Sequence, residues 1–457
     1  MRTDYMKFLA GKTQLGGNHG FNPIWMCDKM FDFQHYLVEW ALRRGRAAHF
    51  ADCGLGKTLM ELVWAENVVR HTNKPVLILT PLAVGPQTVK EGEKFGVECA
   101  VSRDGKISNG VKIAVANYER LHYFDKNNFA GCVADESSIL KNYDGKTKSA
   151  VTEFMRMMPY RLLGTATAAP NDYIELGTSS EALGELGFMD MIGRFFKKMQ
   201  STTSRKDEFR SNIWRFRGHA EKEFWRWVCS WARACRKPSD LGFDDGRFIL
   251  PKLITREHIV KARTVRDGYL FDLPAIGLRE QREERRRTIN ERCEMAAELA
   301  SADDDPVISW CHLNTEGDLL TKLIPGAVQV SGKDSMEHKE ESIIAFGNGE
   351  IKTLVTKPKI AGFGLNWQHC NHQTFFPSHS FEQWYQSIRR SWRFGQTRPV
   401  TIDVVASEGE ADVLKNLKRK QEAAEVIFGS VVEMMGNELN IKASKFMGEK
   451  EKVPSWL

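Results

Sequence analysis

The residues with the strongest chemical character form the run Ala51-Asp52-Cys53-Gly54-Leu55-Gly56-Lys57-Thr58. Small residues let successive backbone N–H groups turn inward on an anion, so this loop is suited to cradle phosphates. The Lys57 ammonium can reach the outer phosphates of a nucleoside triphosphate, and the Thr58 hydroxyl can ligate Mg²⁺. The pattern departs from the full G-x-x-x-x-G-K-[ST] form, because Ala51 stands at the first glycine position. Phosphate binding alone hydrolyses nothing. A second requirement is an acid at the end of a neighbouring strand, and Gly131-Cys132-Val133-Ala134-Asp135-Glu136 supplies two. Asp135 is placed to hold Mg²⁺, and Glu136 to orient and deprotonate an attacking water. Taken alone, these could be solvated carboxylates capping a strand; beside the phosphate loop they become a catalytic pair. Phe31-Asp32-Phe33-Gln34 lies upstream, and the Gln34 amide can match a donor and an acceptor on an adenine edge.

A further constellation lies far along the chain, in Gln386-Ser387-Ile388-Arg389-Arg390-Ser391-Trp392-Arg393-Phe394-Gly395-Gln396. Arg390 and Arg393, at i and i+3, are expected to project from one face of a helix. Two guanidinium groups there could stabilise the charge that develops on a transferring phosphoryl group, with Gln386 beside them. Ala361–Asn366 carries glycines, among them Gly364, that permit close backbone approach to a ribose.

Short apolar or β-branched runs alternate with amphipathic stretches, the pattern of βαβ units around parallel sheets. Strands are expected at 47–50, 76–80, 113–116, 132–134 and 160–163, and again at 307–310, 328–330, 353–356, 374–376 and 400–405. The loop-bearing strand should feed a helix from Leu59 to about His71. The fold class is therefore α/β, in two lobes. Between them the sequence turns charged, aromatic and helical. The expected division is 1–190, an N-terminal nucleotide-binding domain; 191–302, a mostly helical basic and aromatic insertion; 303–425, a C-terminal α/β domain; and 426–457, a tail.

The 457 residues exceed one ordinary domain, and 42% hydrophobic residues are enough for sizeable cores. The net charge of +6 is modest, but 194–300 holds about 25 Lys and Arg against about 16 Asp and Glu, roughly +9 locally. A localised basic block points to a polyanion partner, or else to a solvated helical face. Arg215, Arg217 and Arg226 interleave with aromatics there, as does Arg285-Arg286-Arg287 with glutamates. Phe224, Trp227 and Trp231 fall at helical spacing and read as core. No apolar run is long enough for a membrane span, and the start lacks the apolar stretch of a secretory signal. The nine cysteines are scattered singly, which suits a reducing cytoplasm. Cys311-His312 and Cys370-x-His372 come nearest to metal spacing, but zinc needs two such pairs at loop spacing, so none is expected.

In order and spacing these residues resemble the superfamily 2 helicases, and within them the SNF2-like group of double-stranded DNA translocases. Cys53–Thr58 resembles that family's motif I, Thr80-Pro81-Leu82 with 92–95 its motif Ia, and Asp135-Glu136-Ser137-Ser138 its motif II. Asn117-Tyr118-Glu119 is similar to the short tyrosine-containing motif before the acids. Leu163-Gly164-Thr165-Ala166-Thr167 resembles motif III, Ala361–Asn366 motif V, and Gln386 through Val400 motif VI. Two positions depart from the pattern: Ser138 stands where histidine is common, and Arg389 where an acid is common. The resemblance implies two RecA-like P-loop domains and a Mg²⁺- and ATP-dependent motor on DNA, with ATP in the cleft between them. It also implies nucleic-acid contacts at Thr80, Pro81, Asn117, Tyr118 and Thr356. Its compactness is similar to short helicases of bacteriophages and prophages, acting in replication or recombination with other proteins of those processes. Two other functions fit the same residues: a strand-separating helicase on single-stranded DNA or RNA, and an ATP-gated clamp or scaffold.

Overall fold

The computed structural model describes residues 19–81, 84–107, 110–141, 145–169, 172–198, 214–263, 278–361 and 366–447. Gly364 and the centre of the Ala361–Asn366 run lie outside them. The chain divides into two compact units, 1–244 with 424–457, and 245–423.

In the first unit the strands are β1 (Arg46–Ala51), β2 (Val76–Thr80), β3 (Ala100–Val101), β4 (Ile113–Asn117), β5 (Gly131–Asp135) and β6 (Tyr160–Gly164). A short ribbon follows, β7 (Phe196–Lys198) antiparallel to β8 (Trp214–Phe216), and then β9 (Ala232–Cys235). The large sheet runs β3-β4-β2-β5-β6-β1-β9, and every neighbouring pair is parallel. Strands β2 and β5 are buried along their whole length, which is why Val-Leu-Ile-Leu reads as continuous apolar sequence without alternation. Helices α1 (Asp32–Arg44), α2 (Lys57–Thr72), α3 (Gly85–Phe95), α4 (Lys146–Arg156), α5 (Leu176–Leu183), α6 (Phe188–Phe195) and α7 (Ala220–Trp231) complete the unit. Phe224, Trp227 and Trp231 of α7 are buried, as their helical spacing requires.

The second sheet contains β10 (Leu253–Val260), β11 (Val307–Trp310), β12 (Val328–Val330), β13 (Thr353–Thr356), β14 (His372–Phe375) and β15 (Val400–Ser407). Its order is β10-β15-β14-β11-β13-β12, again all parallel. Helices α8 (Leu278–Arg287), α9 (Ile289–Ala300), α10 (Asn314–Leu323), α11 (Met336–Gly347), α12 (Pro358–Ala361), α13 (Phe381–Ile388) and α14 (Ala411–Met447) belong to this half of the chain. Two parallel sheets flanked by helices give the expected α/β class.

The expected boundaries differ from the observed ones. The stretch 191–302 is not one helical insertion, because it divides at Asp244. Its first part adds β9 to the edge of the first sheet, and its second part adds β10 to the edge of the second. Nor is 426–457 only a tail, since α14 continues to Met447. From residue 424 it belongs to the first unit, where Met435 Sδ accepts from the Ala234 amide of β9 at 3.2 Å. The Arg236 guanidinium lies over the Phe428 ring there at 4.5 Å. An edge strand needs such a cover for its apolar flank.

Candidate nucleotide site and nucleic-acid contacts

The order of the first sheet decides which loops meet. Strand β6 separates β1 from β5, so the segments leaving the carboxyl ends of β1, β6 and β5 are neighbours along one edge. Those segments are the phosphate loop, Thr165-Ala166-Thr167 and Asp135-Glu136. Such an edge, outside the carboxyl ends of parallel strands, is where open α/β sheets hold ligands.

In the phosphate loop Gly54 and Gly56 have φ of +91° and +77°, a region L side chains rarely enter. Gly56 is also crowded: a Cβ there would strike the Gln34 amide nitrogen. It is the N-cap of α2 and offers no side-chain cap, so the first-turn N–H groups and the positive end of the helix dipole are left for an anion. Lys57 Nζ donates to the carbonyl oxygens of Ala51 at 2.9 Å and Asp52 at 3.3 Å. Thr58 follows, half-buried. Gln34, 3% exposed, spends its amide within the protein. Its Oε1 accepts from the Phe31 N–H at 3.0 Å, and its Nε2 donates to Leu55 O at 2.8 Å. It braces the phosphate loop, and an adenine would have to share or replace these bonds.

Across the edge, Asp135 is buried. Glu136 has φ +54°, a left-handed backbone that costs a non-glycine residue about 1–2 kcal/mol. Its Oε1 accepts from the Thr165 hydroxyl at 2.8 Å and the Ser138 hydroxyl at 3.2 Å. The segment after β6 therefore aims the acid, and Ser138 takes part. Tyr118 OH donates to Asp135 O at 2.6 Å from a buried position.

Glu61 was not anticipated. One turn beyond Lys57 on α2, it is buried, and its Oε1 has no hydrogen-bond partner. A Cβ on Gly164, at the end of β6, would collide with this carboxyl. Burial pushes the Glu61 carboxyl well above the usual range; the Asp135 charge adds to this, Lys57 opposes it, and Glu136 adds again. The sequence signal was an acid set inside the apolar run Leu59-Met60-Glu61-Leu62-Val63.

In the second unit, α13 ends at Ile388. Arg390 and Arg393 therefore do not share a helical face. Arg390 lies in the turn after the helix, its N–H bonded to Ser387 O at 3.1 Å, and Arg393 in the bend beyond. The Gln396 side chain closes that bend: its Nε2 donates to Gln368 O at 2.9 Å, and its Oε1 accepts the Thr397 and Arg398 amides. Gln386 is buried and joined to Arg390, whose Nε donates to its backbone oxygen at 2.8 Å and whose Nη2 donates to its Oε1 at 3.1 Å. Arg389 is buried between the rings of Tyr385 at 5.6 Å and Trp392 at 4.8 Å. That stacking accounts for an arginine at this position.

Two of the expected nucleic-acid contacts have their hydroxyls committed within the fold. The Tyr118 hydroxyl bolts β5, as above, and the Thr356 hydroxyl donates to Val330 O at 2.9 Å with the residue fully buried. Thr80 is also buried, its hydroxyl without a partner; Pro81 is half-buried. Asn117 Oδ1 caps the following turn by accepting from the Arg120 N–H at 3.1 Å. Arg215 is exposed. Arg217 donates to Phe196 O at 2.6 Å, and Arg226 pairs with Glu223 at 3.0 Å. The arginine run also divides. Arg285 pairs with the buried Glu410 at 2.7 Å and Arg287 with the buried Glu284 at 2.7 Å, while Arg286 stays exposed.

Arg285 leads to a cavity of about 600 Å³ in the second unit, at the carboxyl ends of β11, β13 and β14. Arg282, Arg285, Lys357 and Lys359 line it with His312 and His379, and no carboxylate stands among its described lining residues. Burial, and then the Arg285 charge, hold the His312 imidazole down to about 4 and shift His379 the same way. The wall they share is already rich in cations.

A phosphate loop, paired acids across one intervening strand and a second parallel α/β unit define a P-loop protein of two RecA-like domains. In the order of its motifs the chain is similar to superfamily 2 helicases of the SNF2-like group. No family model matches it. It is 32% identical over 117 residues to the bifunctional helicase and thymine dioxygenase JBP2 of Leishmania braziliensis, covering 24% of this chain and 10% of that protein. It is 26% identical over 197 residues to the putative protein p41 of Acyrthosiphon pisum secondary endosymbiont phage 1, covering 38% of this chain and 42% of that one. The chain thus spans about a tenth of the first relative and less than half of the second. Among solved structures, the Sulfolobus solfataricus SWI2/SNF2 ATPase core in complex with dsDNA aligns over 90% of this chain and 96% of that one. The TM-score is 0.42 and the identity 18%.

Among the described residues no helix is long and apolar enough to cross a membrane. The two Cys-His pairs are occupied within the fold. Cys370 Sγ donates to Pro306 O and His372 O, both at 3.1 Å, and His372 Nε2 meets Asp403 at 2.7 Å. His312 Nε2 meets Phe376 O at 2.9 Å beside the buried Cys311.

Proposed function

We propose that the chain is an ATP-hydrolysing motor on nucleic acid, most specifically a translocase on double-stranded DNA acting in replication or recombination. The observation that carries this is the meeting of the uncapped α2 N-terminus, Lys57, Asp135 and the Thr165-held Glu136 along one sheet edge. The α2 amides and Lys57 take the phosphates of ATP. Thr58 and Asp135 are the residues that would hold Mg²⁺, which when bound would offset the charge that develops on the phosphates. Glu136 accepts the proton of the attacking water, its oxygen aimed by Thr165. Gln386, Arg390 and Arg393 act on the transferring phosphoryl group, with Gln386 orienting Arg390.

Two features support a nucleic-acid track. The helicase-named relative matches over 117 residues, and the basic cavity of the second unit suits strand phosphates, which carry no sequence information. The test is the ATPase rate with no polymer, duplex DNA, single-stranded DNA and RNA at one low salt concentration. Stimulation by duplex alone is the expected result. Preference for single strands or RNA would make the chain a strand-separating helicase. No stimulation by any polymer would leave an ATP-gated clamp or scaffold and overturn the motor.

A further inference from the structure

The β7–β8 ribbon stands on a rigid aromatic base. Phe196, buried, faces Phe216 across the ribbon at 4.8 Å between ring centroids, and Tyr173 stacks on Phe216 at 4.8 Å. Phe224 of α7 closes the cluster at 5.3 Å from both phenylalanines. Arg217, just beyond β8, locks the ribbon's foot through its N–H to Phe195 O at 2.9 Å and its Nε to Phe196 O. The side chains alternate as a pleated ribbon must: Phe196 and Phe216 face the base, and Lys197 and Arg215 are exposed.

That outer pair is anomalous. Lys197 and Arg215 are cross-strand partners in register, and like charges directly opposite one another repel. Lys198, at the end of β7, is also exposed and adds a third cation on the other face of the ribbon's end. Among the described residues no ion pair joins these three to a carboxylate; Glu221, whose charge acts with that of Arg215 on Tyr173, forms none with them. A preorganised support that holds repelling cations toward solvent is explained by an anion outside the protein. Two cations side by side and a third at the ribbon's end suit a polyanionic backbone better than a single small anion.

We propose that the β7–β8 ribbon is a second nucleic-acid contact, in which Lys197, Lys198 and Arg215 meet the phosphates of a DNA duplex. It rests on the reading of the chain as a DNA motor and adds a grip that the helicase motifs do not contain. Because it touches backbone only, it raises affinity alike for every sequence.

The experiment is a fluorescence-anisotropy titration of the full chain with a blunt duplex, between about 50 and about 200 mM salt. It compares wild type, Lys197→Thr/Lys198→Thr/Arg215→Thr, and Lys197→Glu. Three phosphate contacts contribute roughly 2–3 to the slope of log affinity against log salt, so over this range the wild type should lose about 40-fold more affinity than the triple variant. Lys197→Glu puts an opposite charge across from Arg215, so its thermal midpoint should match or exceed that of wild type while its duplex affinity at low salt falls. Unchanged affinity and salt slope in both variants, with wild-type ATPase still stimulated by duplex, would overturn the ribbon alone. Wild type that neither binds duplex nor responds to it would overturn both readings.

Discussion

Thr165→Val tests how Glu136 is aimed. Valine keeps the shape of threonine and removes the hydroxyl that donates to Glu136 Oε1 at 2.8 Å. Glu136 sits on a left-handed backbone, so its carboxylate depends on side-chain restraint to stay in place. A hydrogen bond to a charged group is worth about 1.5–3 kcal/mol. Ser138 still donates at 3.2 Å, which places the loss near the lower end, and about 1.5 kcal/mol is roughly tenfold in rate. The loss should appear in kcat, with KM for ATP little changed, because Thr165 acts on the water-activating acid and not on the phosphate loop. Steady-state ATPase with saturating DNA gives both parameters. Thr165→Ser should restore most of kcat, and Ser138→Ala added to Thr165→Val should cost more than the two single losses combined, since each hydroxyl covers for the other. Full kcat in Thr165→Val, or a rise in KM as large as the fall in kcat, would refute the assignment.

Three other substitutions probe the remaining groups. Glu136→Gln should bind ATP normally in an equilibrium titration yet not turn it over; normal kcat would remove Glu136 as the base. Arg393→Ala should lower kcat by roughly 10³-fold with nucleotide affinity retained, as loss of an arginine finger does. An equal loss of affinity would make Arg393 a structural support. Glu61→Gln tests the buried acid through stability. Burial raises its folded value above the unfolded one, so the folded chain holds the proton more tightly. That stability is fully present below the ordinary carboxylate range and is lost as pH rises through the folded value. In denaturant midpoints against pH, wild type should therefore fall relative to Glu61→Gln across that interval; parallel curves would show that Glu61 titrates normally.

Much of the fold could be read along the chain where the central strands are buried on both faces. Val76–Thr80, Val307–Trp310 and Thr353–Thr356 begin and end where their apolar runs do. The strands that escaped notice are edge strands. β10 reads Leu-Ile-Thr-Arg-Glu-His-Ile-Val, half exposed, and β9 is only Ala-Arg-Ala-Cys. Such segments have little burial of their own and become strands by pairing with a neighbour, a long-range event that leaves little local mark. The helical spacing of Arg390 and Arg393 misled for a related reason, since Gln396 closes a bend with carbonyls more than 25 residues away in sequence.

By itself the sequence determined the chemistry available: a glycine loop with Lys57 and Thr58, adjacent acids at a strand end, and arginines in a distant motif. These depend on residue type and local spacing, because a tight anion-binding turn needs glycine and a proton acceptor needs a carboxylate. Tertiary structure alone decided which groups are committed. It set Thr165 on Glu136, drove the Tyr118 and Thr356 hydroxyls into the interior, put Arg285 on Glu410 and left Glu61 beside Gly164 without a partner. A polar side chain's role follows from what surrounds it, and strand order, a property of the whole sheet, sets those surroundings.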